Sequence, residues 1–170
     1  NDLLDCTQLD LNRAGNPLLE IVTTPCMHSA KEAIIFLKDL HRLVRFLDIC
    51  DGNMQEGSFR CDVNISVRKN TSEILGTKTE IKNLNSFKFI EKAIEYEINR
   101  QRDILVNSAN IQQETRLYCP SSNKTISMRN KESAIDYRYF LEPDLKAIEI
   151  TKTDIELIRS KLTKLPNVIK

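Results

Sequence analysis

The sequence predicts an α+β fold: a largely antiparallel sheet with helices packed on one side. Three observations carry this. From Glu56 to Arg68 every second residue is polar or charged, with Gly, Phe, Cys, Val, Ile and Val between them. That is the period-2 pattern of a strand with one buried face. Two longer stretches, 33–47 and 87–105, place apolar residues at three- and four-residue steps, as amphipathic helices do. Two short runs, 113–118 and 125–129, flank Pro120-Ser121-Ser122-Asn123 and read as a hairpin.

Composition narrows the function classes. With 170 residues, 41% apolar and 29% charged, the chain can bury one good core and is not disordered. Its 25 basic and 24 acidic residues give a net charge of +1, so any RNA contact needs a local patch or lies outside this chain, and nothing suggests DNA binding. No apolar run approaches the roughly 18–20 residues that span a bilayer. Five scattered cysteines without a Cys-x-x-Cys pair argue against a disulfide framework or zinc cluster and fit a reducing cytosol. The chain opens on Asn1 rather than Met and reads as a fragment.

Taken in order, Leu9–Arg13 alternates, Ala14-Gly15-Asn16-Pro17 supplies a turn, and Leu18-Leu19-Glu20-Ile21-Val22 is an apolar run, giving two strands with a tight connection. Glu20 is the one charge in that run. Burying it is costly unless it is paired or bound to metal, so it is either a ligand or a salt-bridge partner of a residue such as Arg13. Ser29-Ala30-Lys31-Glu32 forms a capping box opening the first helix, with Ala33, Phe36, Leu37, Leu40, Leu43, Val44 and Leu47 on its apolar stripe. His28 and His41 belong to the cap and flank of that helix. Asp51-Gly52-Asn53 breaks it and leads into the alternating strand, where Cys61 points inward as a small core residue.

After turns at 69–72 and Gly76, Thr77–Asn83 returns as a strand with Lys78, Glu80 and Lys82 on one face. Paired antiparallel with the alternating strand, it sets these charges beside Arg60, Asp62 and Asn64 in one polar tray. Asn85 and Ser86 cap the second helix, whose stripe is Phe87, Ile90, Ala93, Ile94, Ile98, Gln101 and Leu105. Asp136-Tyr137-Arg138-Tyr139-Phe140 suits either a base or ribose contact or a packed strand. Thr153 with Glu156 caps a last helix ending near Leu165-Pro166. There is no Walker or Rossmann glycine loop and no Ser/His/Asp order.

The row Glu56, Ser58, Arg60, Asp62, Asn64, Ser66, Arg68 spaces acids, amides and guanidinium groups about 6.5–7 Å apart. Acids of this kind hold Mg²⁺ and arginines neutralise phosphate oxygens. The plain alternative is a solvated outer face, for which alternating Lys and Glu on an edge strand is a common solubility device.

Several segments in order resemble the B subunits of the aspartyl/glutamyl-tRNA amidotransferases. They are Asp10–Gly15 with Pro17–Val22, Asp51–Asp62, Thr79–Ser86, Gln113–Arg116, Ser127–Arg129 with Lys131-Glu132, and Asp136–Phe140 with Glu142-Pro143-Asp144. The resemblance implies a cradle of antiparallel strands similar to glutamine synthetase, with residues 1–150 in the catalytic cradle and 151–170 opening a helical domain. It implies a subunit that uses ATP and Mg²⁺ to phosphorylate the side-chain carboxylate of Glu-tRNA(Gln) or Asp-tRNA(Asn), after which channelled ammonia yields the amide. Implied partners are the misacylated tRNA, an amidase subunit and a small third subunit, in a bacterial cytosol or an organelle matrix, with no membrane role.

Carried onto this chain, the chemistry assigns Glu20, Glu56 and Glu80 to metal, and Arg60, Lys82 and Asn83 to ATP. Glu56, Arg60 and Lys82 are the catalytic candidates, with Asp62, Asn64 and Asn85 orienting groups or passing ammonia. The chain departs from the family at Thr23-Thr24-Pro25-Cys26, where Ser-Glu-Pro-Asp is common, and at Leu141, where a proline is usual. Two rivals stand beside this reading: a non-catalytic scaffold that binds RNA or the amidase, and a ligase acting on a free amino acid, which would not need tRNA.

Overall fold

The computed structural model describes Leu11, residues 15–128 and residues 146–162. Within them the order is α1 (Ala30–Phe46), β1 (Val63–Ile65), β2 (Thr79–Lys82), α2 (Phe87–Val106), β3 (Thr115–Cys119), β4 (Lys124–Ser127) and α3 (Lys152–Lys161). The α+β expectation is met.

The cap of α1 is a shifted box. Ser29 Oγ accepts from the Glu32 amide, while the Glu32 carboxylate accepts from the His28 amide at 2.6 Å rather than from the cap residue's own N–H. Both long helices end in the same left-handed turn. After α1, Asp48 at φ 54° sends its N–H to Arg45 O and Ile49 sends its own to Val44 O. After α2, Ser108 at φ 57° donates to Leu105 O and Ala109 to Ile104 O. These are Schellman closures with Asp and Ser where glycine is usual. The last helix is capped by Thr151 with Asp154 rather than by the Thr153–Glu156 pair read from the sequence, because Asp154 reaches back to the Thr151 amide at 2.9 Å.

The four strands lie in the order β1-β2-β3-β4. The outer pairs are antiparallel, with Asn64 opposite Glu80 and Leu117 opposite Ile126, but β2 and β3 run parallel, with Glu80 opposite Thr115. The sheet is therefore mixed rather than largely antiparallel. The cause is α2: a helix of 20 residues carries the chain back along the sheet, so that the next strand starts from the same end. The hairpin of β3 and β4 forms as expected.

One face of the sheet meets the helices. Ile65, Ile81 and Tyr118 pack with Ala30, Ile34, Leu37, Leu84, Ile90, Ala93 and Ile94 into one core. Alternate strand residues, Asn64, Glu80, Lys82, Thr115 and Leu117, point the other way. The expected strand at 18–22 is absent: that stretch has no regular structure and exposes Leu18, Leu19, Ile21 and Val22. Its predicted partner at 9–13 falls almost wholly outside the described residues, as does the tyrosine-rich segment at 136–140, while α3 ends at Lys161, before the Leu165-Pro166 read from the sequence.

Candidate functional site

The predicted long strand is regular only over Val63–Ile65, yet the alternation persists further. Glu56, Ser58, Arg60, Asp62 and Asn64 are exposed while Gly57, Phe59, Cys61 and Val63 are half-buried. Cys61 packs against the core as expected, and burial, with the Asp62 charge second, pushes its thiol up to about 11.

Before β1 the chain is held by a compact turn. Asp51 Oδ1 accepts from the Asn53 amide, and Asn53 Oδ1 accepts from the amides of Gln55 and Glu56 at 3.0 and 3.2 Å. Gly52 sits at φ 76°, where an added Cβ would collide with His41. The His41 ring donates through Nε2 to Gly52 O at 2.9 Å and stands edge-on to Phe59 and Phe87. His41 thus anchors the turn that presents Glu56, rather than simply flanking the helix.

The centre of the exposed face is a cluster on β1, β2 and β3. Lys82 Nζ lies 2.8 Å from Asp62 Oδ2 and 3.1 Å from Glu80 Oε1. The opposite oxygen of Glu80 accepts from Thr115 Oγ1 at 3.1 Å. The hydrogen bond to Asp62, and then that to Glu80, raise the Lys82 ammonium above its ordinary value, so it stays cationic at neutral pH. Two carboxylates around one fixed cation make a polar tray open to solvent, the arrangement expected from antiparallel pairing of the two segments.

The other site candidates are less gathered. Glu20 lies exposed on the irregular stretch, and Glu56 lies on the turn at 54–57. Among the described residues no three His, Cys, Asp or Glu side chains are placed to hold a metal ion, so Glu20, Glu56 and Glu80 do not form one site here. Asn83 adopts φ 66° and donates its amide to Tyr118 O at 3.0 Å, which commits that side chain to the β2–β3 backbone. Arg60 and Asn85 are exposed, at the approach to β1 and beside the α2 cap respectively.

Beneath the tray lies a network the sequence reading passed over. Glu97 of α2 is fully buried against the sheet. Arg100 grips it through Nε at 2.9 Å and Nη2 at 2.7 Å, Thr79 donates to it at 2.8 Å, and Gln101 and Thr125 donate at 3.0 and 3.1 Å. Arg116, on β3, donates to Thr125 Oγ1 and to Glu114, and its Nε stands 3.5 Å from Glu97. Burial alone would push the Glu97 carboxyl up; Arg100, Gln101 and Thr79 outweigh it and hold the group below its ordinary value. The available signal was position. Glu97 stands seven residues after Ile90, four after Ala93 and three after Ile94, and so falls on the buried stripe. Thr115 was also missed, for a different reason: only the parallel register reveals that it faces Glu80.

The GatB/GatE catalytic domain family model matches residues 3–156. The chain belongs to that family. B subunits of aspartyl/glutamyl-tRNA(Asn/Gln) amidotransferases are similar along nearly all of it. The one from Legionella pneumophila (strain Corby) is 63% identical over 165 residues, covering 97% of this chain and 35% of the relative. Those from Thioalkalivibrio sulfidiphilus and Nitrosococcus oceani are 60% and 54% identical, covering 94% and 98% of this chain. The chain thus spans about a third of the length of these relatives, at 33–35%. As a GatB/GatE catalytic domain it includes no helix, among the described residues, long and apolar enough to cross a membrane.

Proposed function

We propose that this chain is part of the ATP-dependent core of a tRNA amidotransferase, and that its exposed sheet face is where the side-chain carboxylate of Glu-tRNA(Gln) or Asp-tRNA(Asn) is phosphorylated. The observation that carries this reading is the Asp62–Lys82–Glu80 cluster, built from the family segments 51–62 and 79–86 and left open on the face opposite the core. The names of the relatives supply the substrate class.

In the proposed reaction an oxygen of the substrate carboxylate attacks the γ-phosphorus of ATP and ADP leaves. Ammonia then adds to the acyl carbon, and phosphate departs with the carboxylate oxygen. Lys82 supplies a cation for phosphate oxygens, and Arg60, on the exposed approach to β1, supplies a second. Glu80 and Glu56, the sequence's metal candidates nearest this face, would hold Mg²⁺, with Asp62 beside them where Lys82 now bridges it to Glu80, since this ion binds through one or two carboxylates with water and substrate phosphates completing its shell. The ion would neutralise charge on the γ-phosphate. Glu56 joins the same exposed row from its anchored turn, and Asn64, opposite Glu80 on the neighbouring strand, would orient the carboxylate. Asn83 acts through the backbone it holds, and Asn85 stays a candidate on the ammonia path. Glu20 joins the site only if the stretch around it is ordered by another part of the protein. The partners remain the amidase subunit, the small third subunit and the misacylated tRNA, in the bacterial cytosol; residues 151–170 are assigned to the start of the next domain.

The test uses the full-length protein assembled with its partners. Glu80→Gln and Glu56→Gln are each compared with wild type for ATP-dependent tRNA amidation and for release of ammonia from glutamine. The reading expects amidation to fall at least about 100-fold, as for loss of an electrostatic catalytic group, with glutamine hydrolysis retained. Unchanged amidation in both variants would make the face a structural wall and favour the scaffold.

A further inference from the structure

We infer that Thr115 is a positioning residue for Glu80, holding that carboxylate in the one orientation that faces the incoming phosphate; this rests on the function proposed above. Both oxygens of Glu80 have partners: Oε1 meets the Lys82 ammonium at 3.1 Å and Oε2 accepts from the Thr115 hydroxyl at 3.1 Å. Lys82 is shared with Asp62 and is drawn to any phosphate that arrives, so it cannot alone define the carboxylate plane. Thr115 can. It stands opposite Glu80 in the parallel register, and the Glu80 amide donates to Glu114 O at 3.0 Å, so the two backbones are tied beside the contact.

The side chains on the hidden face tie the backbone that carries that donor to the core. Thr79 and Arg116, the neighbours of Glu80 and Thr115 in sequence, point inward and are both held in the Glu97 network, Thr79 directly at 2.8 Å and Arg116 through Thr125 at 2.8 Å. A hydroxyl set on such a base needs no reorganisation when charge develops on the tray. Threonine on a half-buried strand is ordinary on its own; what singles out Thr115 is that its hydroxyl donates across strands to the Glu80 carboxylate.

The experiment compares Thr115→Val, which keeps the shape and removes the hydroxyl, with Thr115→Ser, which restores it, in the full-length protein within its complex. Ammonium chloride serves as nitrogen donor, so that amidation is read independently of glutamine hydrolysis. Thr115→Val is expected to lower kcat about ten-fold, the size of one hydrogen bond to a charged group, with KM for the tRNA unchanged. Thr115→Ser should recover to within about three-fold of wild type, and Thr115→Val should add nothing in a Glu80→Gln background, since coupled residues are not additive. Wild-type kcat in Thr115→Val, with Glu80→Gln inactive, would overturn the inference and leave the proposed function standing. Wild-type amidation in Glu80→Gln would overturn the inference, and wild-type amidation in Glu56→Gln as well would overturn the proposed function with it. An equal loss in Thr115→Val and Thr115→Ser would show a packing role and overturn the inference.

Discussion

Glu97 shows how one side chain can organise a face it never reaches. Its carboxylate is buried with Arg100 and hydrogen bonded to Thr79 and Thr125, which belong to strands on either side of β3. Removing one member of such a group leaves uncompensated charge, so Glu97→Ala should cost the full-length protein about 3–5 kcal/mol of stability in chemical denaturation. Acid acts on the same contacts. Glu97 and Glu114 both lie below their ordinary value of 4.5 in the folded state; burial raises Glu114 too, but Ser127 and Arg116 outweigh it. Their contribution is therefore complete above the unfolded value and is lost as pH falls through the lower folded values. A pH titration of stability should show this acid limb, flattened in Glu97→Gln. Reading Glu97 from the sequence requires treating a carboxylate on an apolar stripe as buried rather than as an interruption, yet Glu20, which sits in an equally apolar run, lies exposed. Apolar neighbours along the chain do not decide burial; a covering element does.

Helix ends and strand pairings were legible to different degrees. Ser29 and Ser86 cap α1 and α2 as their sequences indicate, because an N-cap is a local hydrogen bond within three residues. The C-terminal closures carry no glycine and give no such signal. Ser108 holds φ 57° at a cost a glycine would not incur, so Ser108→Gly should add about 1 kcal/mol of stability, read as a higher denaturation midpoint. Pairing between β1 and β2 followed from alternation and short spacing. The parallel pairing of β2 with β3 did not, although a helix between two strands is the signature of a parallel crossover. The missing strand at 18–22 has another cause: a strand exists only against a partner, and none of the described strands pairs with this stretch.

At the scale of the whole molecule, the α+β class and the exposed tray were readable because both rest on side-chain periodicity over residues close in sequence. No spacing rule brings together Glu20, Glu56 and Glu80, which come from distant segments of a chain that spans about a third of its relatives' length. What the fold provides is a two-sided sheet: a fully bonded ionic layer against α2 and an open cluster of Asp62, Glu80, Lys82 and Thr115 on the other face. The reaction proposed for that face would pass an oxygen from the amino-acid side chain to phosphate. The decisive measurement is to charge tRNA with glutamate labelled with ¹⁸O in the side-chain carboxylate, run ATP-dependent amidation with the assembled enzyme, and analyse the released inorganic phosphate by mass spectrometry. One ¹⁸O per phosphate, in step with amide formed, is the predicted result; amide formation with unlabelled phosphate would contradict carboxylate phosphorylation.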